Sequence, residues 1–147
     1  MAGEYFRQNL DTAAEFWASA KILFERDSAA SRLRSEIQEV LAVGKPALDE
    51  ATLESSRVNS EDQLRAAEAF APHDPVTASA VLHNKVIELT GSYFDVRRRW
   101  TPSLKRRIAV IAESDPELHA RLTAFYAANF DEQLALAREM IPLTYER

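Results

Sequence analysis

A chain of 147 residues is the size of one domain and is long enough to bury a single core. Hydrophobic residues make up 46% and charged residues 28%, which excludes a disordered polymer, and the absence of cysteine excludes disulfides, thiolate metal sites and a cysteine nucleophile. The net charge of −5 sets bulk electrostatics against nucleic acid and anionic membranes, so any anion must be held by a local patch.

The N-terminal stretch MAGEYFRQNLD has neither a basic n-region nor an apolar h-region, and no run reaches membrane-spanning length; a cytoplasmic protein with no membrane partner is expected. From Glu4 to about Glu25, Tyr5, Phe6, Leu10, Ala13, Phe16, Trp17, Ala20, Leu23 and Phe24 recur at helical spacing. Ala20 to Phe24 is also compatible with a short strand, given a partner sheet. Asp27 and Ser28 are capping residues for a second helix with Leu33, Ile37, Val40 and Leu41 on its apolar face, stopped by Gly44 and Pro46. Asp49 opens a third helix containing Leu53, Val58, Leu64, Ala67 and Phe70. Its middle, Ser55 to Ser60, consists of weak helix formers and predicts a kink or break.

Three similar start signals follow. Asp74-Pro75, Thr101-Pro102 and Asp115-Pro116 each place a capping residue before a proline whose missing N–H costs nothing at the first helical position. They predict helices at about 75–100, 102–113 and 116–128. Asp131 opens a last helix, with Leu134, Leu136, Ala137 and Met140 apolar, ending before Pro142. In the first of these, Leu82, Val86, Leu89, Tyr93, Val96 and Trp100 form one stripe, and Ala80, Ile87 and Phe94 a second, with Gly91 between them. A helix apolar on two sides packs on two sides. Glycine costs a helix about 1 kcal/mol against alanine, and its simplest explanation at position 91 is the close approach of another helix. The whole reads as an all-α, up-and-down bundle of about six or seven helices around a central long helix, one domain over 1–147 with an N-terminal amphipathic helix (1–26) and a bundle (27–147).

Signals for chemistry are few. His73, His83 and His119 lie far apart, with neither the Glu-x-x-His pairs of di-iron bundles nor a His-x-x-x-His pair, so no metal and no cofactor is expected. Arg65 to His73 and Arg107 to His119 are too widely spaced for the Arg-then-His centre of helical ribonucleases. Gly91-Ser92 with Asp95 lacks the strand and the Asp-x-Asp of a nucleotidyltransferase centre. Three glycines in the whole chain leave no Gly-rich phosphate loop.

The strongest feature is Arg97 to Arg107, in which Arg97, Arg98, Arg99, Lys105, Arg106 and Arg107 are concentrated in an otherwise acidic chain. The central helix ends here, where its dipole favours cations, and the next begins, where free N–H groups favour an anion. The bland account is that these cations complement a helix end and a solvated face; the sharper one makes Arg97, Arg99, Lys105 and Arg106 an anion site. Glu61-Asp62, just past the weak middle of the third helix, is the only acidic pair not explained by a helix start. Either could serve as a general base if it faced a cleft, or the pair is a solvated face.

From about Ile22 to Arg147 the order of elements resembles the C-terminal helical domain of kanamycin (aminoglycoside) nucleotidyltransferases. Ile22 to Asp27, followed by Leu33 and Gly44-Lys45-Pro46, resembles the passage leaving that family's catalytic domain. Tyr93 to Arg107 followed by Asp115-Pro116-Glu117-Leu118 is similar to its long helix, R-x-R-W-x-P-S-x-K-R and D-P-E-L pattern. The resemblance implies a helical domain that helps bind substrate, with Arg99 and Lys105 on the family's Arg and Lys positions and Glu61 or Asp62 as the carboxylate that acts on the acceptor hydroxyl. The Gly-Ser and Asp-x-Asp catalytic half is not in this chain. The expectation is therefore a non-catalytic binding domain for a nucleotide or aminoglycoside-like ligand, working as a homodimer or with a separate nucleotidyltransferase catalytic protein. The alternatives are a small nucleotidyl- or phosphoryl-transfer enzyme and a purely structural bundle.

Overall fold

The computed structural model describes residues 16–146, so the apolar positions Tyr5, Phe6, Leu10 and Ala13 lie outside the described residues. Among the described residues every regular element is helical: α1 (Ala29–Val43), α2 (Glu50–Phe70), α3 (Pro75–Val96), α4 (Leu104–Ser114), α5 (Pro116–Ala127) and α6 (Phe130–Tyr145). None of these helices is long and apolar enough to cross a membrane.

The central helix is α3. Leu82, Val86, Leu89, Tyr93, Phe94 and Val96 are all buried, and each large apolar side chain so buried contributes about 1.5–3 kcal/mol. Its first stripe is as expected up to Val96. The second is different: Ala80 and Ile87 are exposed, and the other covered positions are Ala78, Lys85 and Thr90. Helices α2 and α6 flank α3, α5 lies beside α6, and α4 packs on α5. The short connection 71–74 turns α3 back along α2, where Lys85 meets Asn59, and Arg138 of α6 meets Glu68 while Tyr145 meets Ser56, so α2 runs antiparallel to both neighbours. Arg121 on Glu139 and Gln133 on the Phe125 carbonyl make α5 antiparallel to α6. The result is an up-and-down bundle around α3.

Several boundaries are set by side-chain caps. Asp49, Asp74 and Asp115 accept from the amides of Thr52, Thr77 and Leu118, as their positions predict. At α6 the cap is Asn129 rather than Asp131, because Asn129 and Glu132 exchange bonds in a capping box. Helix α6 also continues through Pro142 to Tyr145. Glu146 N–H closes onto the Pro142 carbonyl at 2.8 Å, and Arg97 takes up the carbonyls beyond it. Helix α2 is unbroken across Ser55 to Ser60. Ser56 and Ser60 bond to Tyr145, and Asn59 to Lys85, so residues that are poor helix formers in isolation earn their place through contacts with α6 and α3.

The N-terminal segment departs most from expectation. Among its described residues, helix before α1 is confined to 16–19, and residues 20–28 are neither helix nor strand. The carbonyls of Ala18 and Ala20 are taken by Gln38 and Arg34 of α1, which folds the segment back along α1 instead of extending it. Asp27 and Ser28 both adopt left-handed backbone (φ 59° and 55°), and the acceptor at the start of α1 is Glu25, which receives the Ser31 amide at 3.0 Å and the Ser31 hydroxyl.

Candidate functional site

The basic turn begins where α3 ends. Arg98 takes a left-handed conformation (φ 54°), Arg99 N–H reaches back to the Phe94 carbonyl at 2.8 Å, and Arg98 N–H to the Asp95 carbonyl at 3.0 Å. This crossed pair of bonds is the usual way a helix terminates on a residue with positive φ, normally glycine. In place of the usual apolar contact across such a turn, the Arg99 guanidinium makes a cation–π contact, 5.3 Å from the Phe94 ring centre. The central helix therefore stops at Val96 rather than near Trp100. Thr101-Pro102 does not open α4: Ser103 is its N-cap residue, without a side-chain cap bond, and Pro102 is buried just before it.

The six cations divide into two sets. Arg97 turns inward, donating to the carbonyls of Thr144 (2.9 Å), Leu143 (3.1 Å) and Glu146 (3.2 Å). Its guanidinium lies 3.9 Å from the Tyr93 ring centre, with the Asp115 carboxylate also at 3.9 Å. It caps the end of α6, where the dipole and unpaired carbonyls favour a cation. Arg107 also turns inward, donating to Thr90 Oγ1 (3.2 Å) and the Ile87 carbonyl (3.4 Å). It runs across Gly91: a Cβ there would lie 3.7 Å from Arg107 Nη1, so the neighbour that approaches this glycine is one arginine side chain of α4. The second set, Arg98, Arg99, Lys105 and Arg106, is exposed around the start of α4. Behind the turn, Lys45 pairs with Asp95 and sits 5.9 Å from the ring centre of the half-buried Trp100.

Glu61 and Asp62 are on α2, and each is paired within its own helix, Glu61 with Arg57 and Asp62 with Arg65. Glu61 lines a concavity of about 410 Å³ between α2 and α6, together with Leu64, Arg65, Arg138, Ile141 and Pro142. Glu61 and Arg97 thus both reach the last third of α6, but from different neighbours, and neither acidic side chain is among the contacts of the basic turn. His83 is wedged between Phe125 and Tyr126, its Nε2 3.2 Å from Gln133 Oε1. Partial desolvation raises the phenol of Tyr126, itself more than half exposed, above its ordinary pKa. Among the described residues, no three His, Asp or Glu side chains converge as metal ligands would.

One polar group inside the bundle is missing from the sequence reading. Lys85, 5% exposed, lies on α3 between Leu82 and Leu89, and donates to Asn59 and Glu88. The signal was available: 78, 82, 85, 89, 93 and 96 form a helical stripe in which the lysine is the one charged member. In comparisons with known proteins, the chain matches no family model, no curated protein and no solved structure.

Proposed function

We propose that this chain is a non-catalytic helical binding domain whose turn between α3 and α4 takes an anionic, nucleotide-type ligand, or the matching surface of a separate catalytic protein. The observation that carries the reading is the division of the cations. Arg97 and Arg107 are committed inward to backbone carbonyls and hold the turn in one shape, while Arg98, Arg99, Lys105 and Arg106 are exposed around the first turn of α4. Positive charge gathered at a helix start in a fixed geometry favours phosphate or carboxylate, in a chain whose net charge would otherwise repel them. The resemblance to aminoglycoside nucleotidyltransferase helical domains supports the same ligand class, since Arg99 and Lys105 fall on its Arg and Lys positions. It also supports a second copy, or a Gly-Ser and Asp-x-Asp protein, as the partner. The pairing of Glu61 with Arg57 and of Asp62 with Arg65 favours a binding role over catalysis.

Isothermal titration with ATP–Mg²⁺ and with an aminoglycoside panel tests this. Saturable heat that falls at least tenfold in an Arg99→Ala/Lys105→Ala double variant is the expected result. Turnover by the chain alone would point instead to an enzyme working through Glu61 or Asp62. Silence with every ligand would leave a structural bundle.

A further inference from the structure

We infer that the cleft between α2 and α3 is a second binding site, separate from the basic turn, and that it takes a small zwitterion of the amino-acid class. The cleft has a volume of about 430 Å³, with Lys85 lining it, Asn59 and Gln63 contributed by α2, and Asn84 and Glu88 by α3. This is enough room for a small metabolite. Three observations point to a ligand.

The first is Lys85 itself. It occupies an apolar stripe position on the central helix, where its side chain is 7% exposed while its carboxylate partner Glu88 is 52% exposed. Taking an ammonium out of water is costly, and a carboxylate that is itself half in solvent offsets that cost only in part, so stability alone is a poor reason for a lysine here. The second is unused hydrogen-bonding capacity. Lys85 Nζ has three N–H groups and two acceptors, Asn59 Oδ1 at 3.0 Å and the Glu88 carboxylate. Asn59 uses its oxygen on Lys85 and Asn84 its nitrogen on Glu88 at 2.7 Å, which leaves an amide N–H₂ on one and an amide oxygen on the other. The Gln63 carboxamide, on the same wall, is half-buried.

The third observation is charge balance. The lining holds one cation and one carboxylate, so a simple anion would meet Glu88 and a simple cation would meet Lys85. A molecule carrying both charges satisfies both: its carboxylate takes the free N–H of Lys85 and the Asn59 amide, and its ammonium lies against Glu88 and the Asn84 amide oxygen. Ala80 and Val81 form the apolar end of the cleft, suited to a short aliphatic side chain.

The test follows the side-chain NH₂ signals of Asn59, Gln63 and Asn84 by NMR while L-alanine, L-serine or L-glutamine is added to the full chain. Acetate, ethylammonium and glucose serve as single-feature controls. Saturable shifts with at least one amino acid, at a dissociation constant of about 1 mM, and weakened at least tenfold in both Lys85→Met and Asn84→Ala, are the expected result. Lys85→Met keeps the stem and removes the charge; Asn84 is exposed, so Asn84→Ala decides the matter if the lysine variant fails to fold. The inference is overturned if no amino acid gives a saturable shift, if neither variant weakens binding, or if a control binds as tightly as the amino acids. None of these outcomes involves Arg99 or Lys105, so this site and the proposed function stand or fall separately.

Discussion

The bundle from α2 to α6 and the segment from residue 16 to residue 48 use the same kinds of residue to different effect. In the bundle, one continuous cluster runs from Leu64 through Phe94 and Phe125 to Ile141, with all five helices contributing or packing against it. In the N-terminal segment Ile37 alone is buried, against Ala18, Leu33 and Leu41, while Leu23, Phe24 and Val43 are 84%, 90% and 88% exposed. Helix α1 shares no extensive interface with the other five helices. Apolar content is not what separates the regions. The stripes of α2 and α3 run for about six turns and are covered by each other and by α6, whereas α1, although longer than α4 or α5, has no helix covering its stripe in this way. Stability should therefore be graded, with global unfolding governed by the bundle and the N-terminal segment opening on its own at lower cost.

The sharpest test is one substitution in the two places. Phe94→Ala in the core is expected to cost about 3–5 kcal/mol in urea unfolding, whereas Phe24→Ala should change stability by about 0.5 kcal/mol or less. Equal losses would show that the segment is integrated into the cooperative unit. Arg97→Met comes next. Removing three charge-assisted bonds to the carbonyls at the end of α6 should cost about 2–3 kcal/mol, while Arg99→Ala, on the exposed side of the same turn, should cost far less; similar losses would erase the division of the turn into inward and outward cations. In the opposite direction, Arg98→Gly should gain about 1 kcal/mol, since only glycine adopts this left-handed position without steric penalty, and thermal melting would register it.

Acid provides the smallest and most selective probe. The Ser31 hydroxyl, and then its amide, hold the Glu25 carboxyl below its ordinary value of 4.5. The Thr77 hydroxyl and amide do the same for Asp74, whose ordinary value is 3.8. Both groups have depressed folded-state pKa values, so each contributes stability that is fully present above its ordinary value and is lost as pH falls through the lower, folded one. The start of α1 should accordingly begin to lose amide protection below about pH 4.5, ahead of the start of α3. Glu25→Gln should abolish that difference; an unchanged acid profile in this variant would remove Glu25 as the cap of α1.

Much of the fold was legible because it is written locally. Asp49, Asp74-Pro75 and Asp115-Pro116 mark true helix starts, since a carboxylate cap and a first-turn proline act through neighbouring residues only. The misplaced boundaries depend on distant contacts. Helix α3 ends on an arginine in a conformation glycine would have advertised, and α6 passes Pro142 with Arg97 holding its last carbonyls. The candidate site divides the same way. That cations cluster near 97–107 is visible in the chain, but which of them face inward is decided by the carbonyls of residues 143–146 and by Ile87. Lys85 was hidden for a related reason: its partner Asn59 lies in a stretch whose poor helix propensity suggested a break rather than a contact surface.

The grip of Arg97 on the last turn of α6 makes that turn a built-in reporter. A ligand that recruits Arg97 must strip three carbonyls of their donor and unravel the helix end, whereas one held by Arg99 and Lys105 leaves it wound. Hydrogen exchange at residues 143–146, followed during a titration, would distinguish these two modes of engagement without any label at the site.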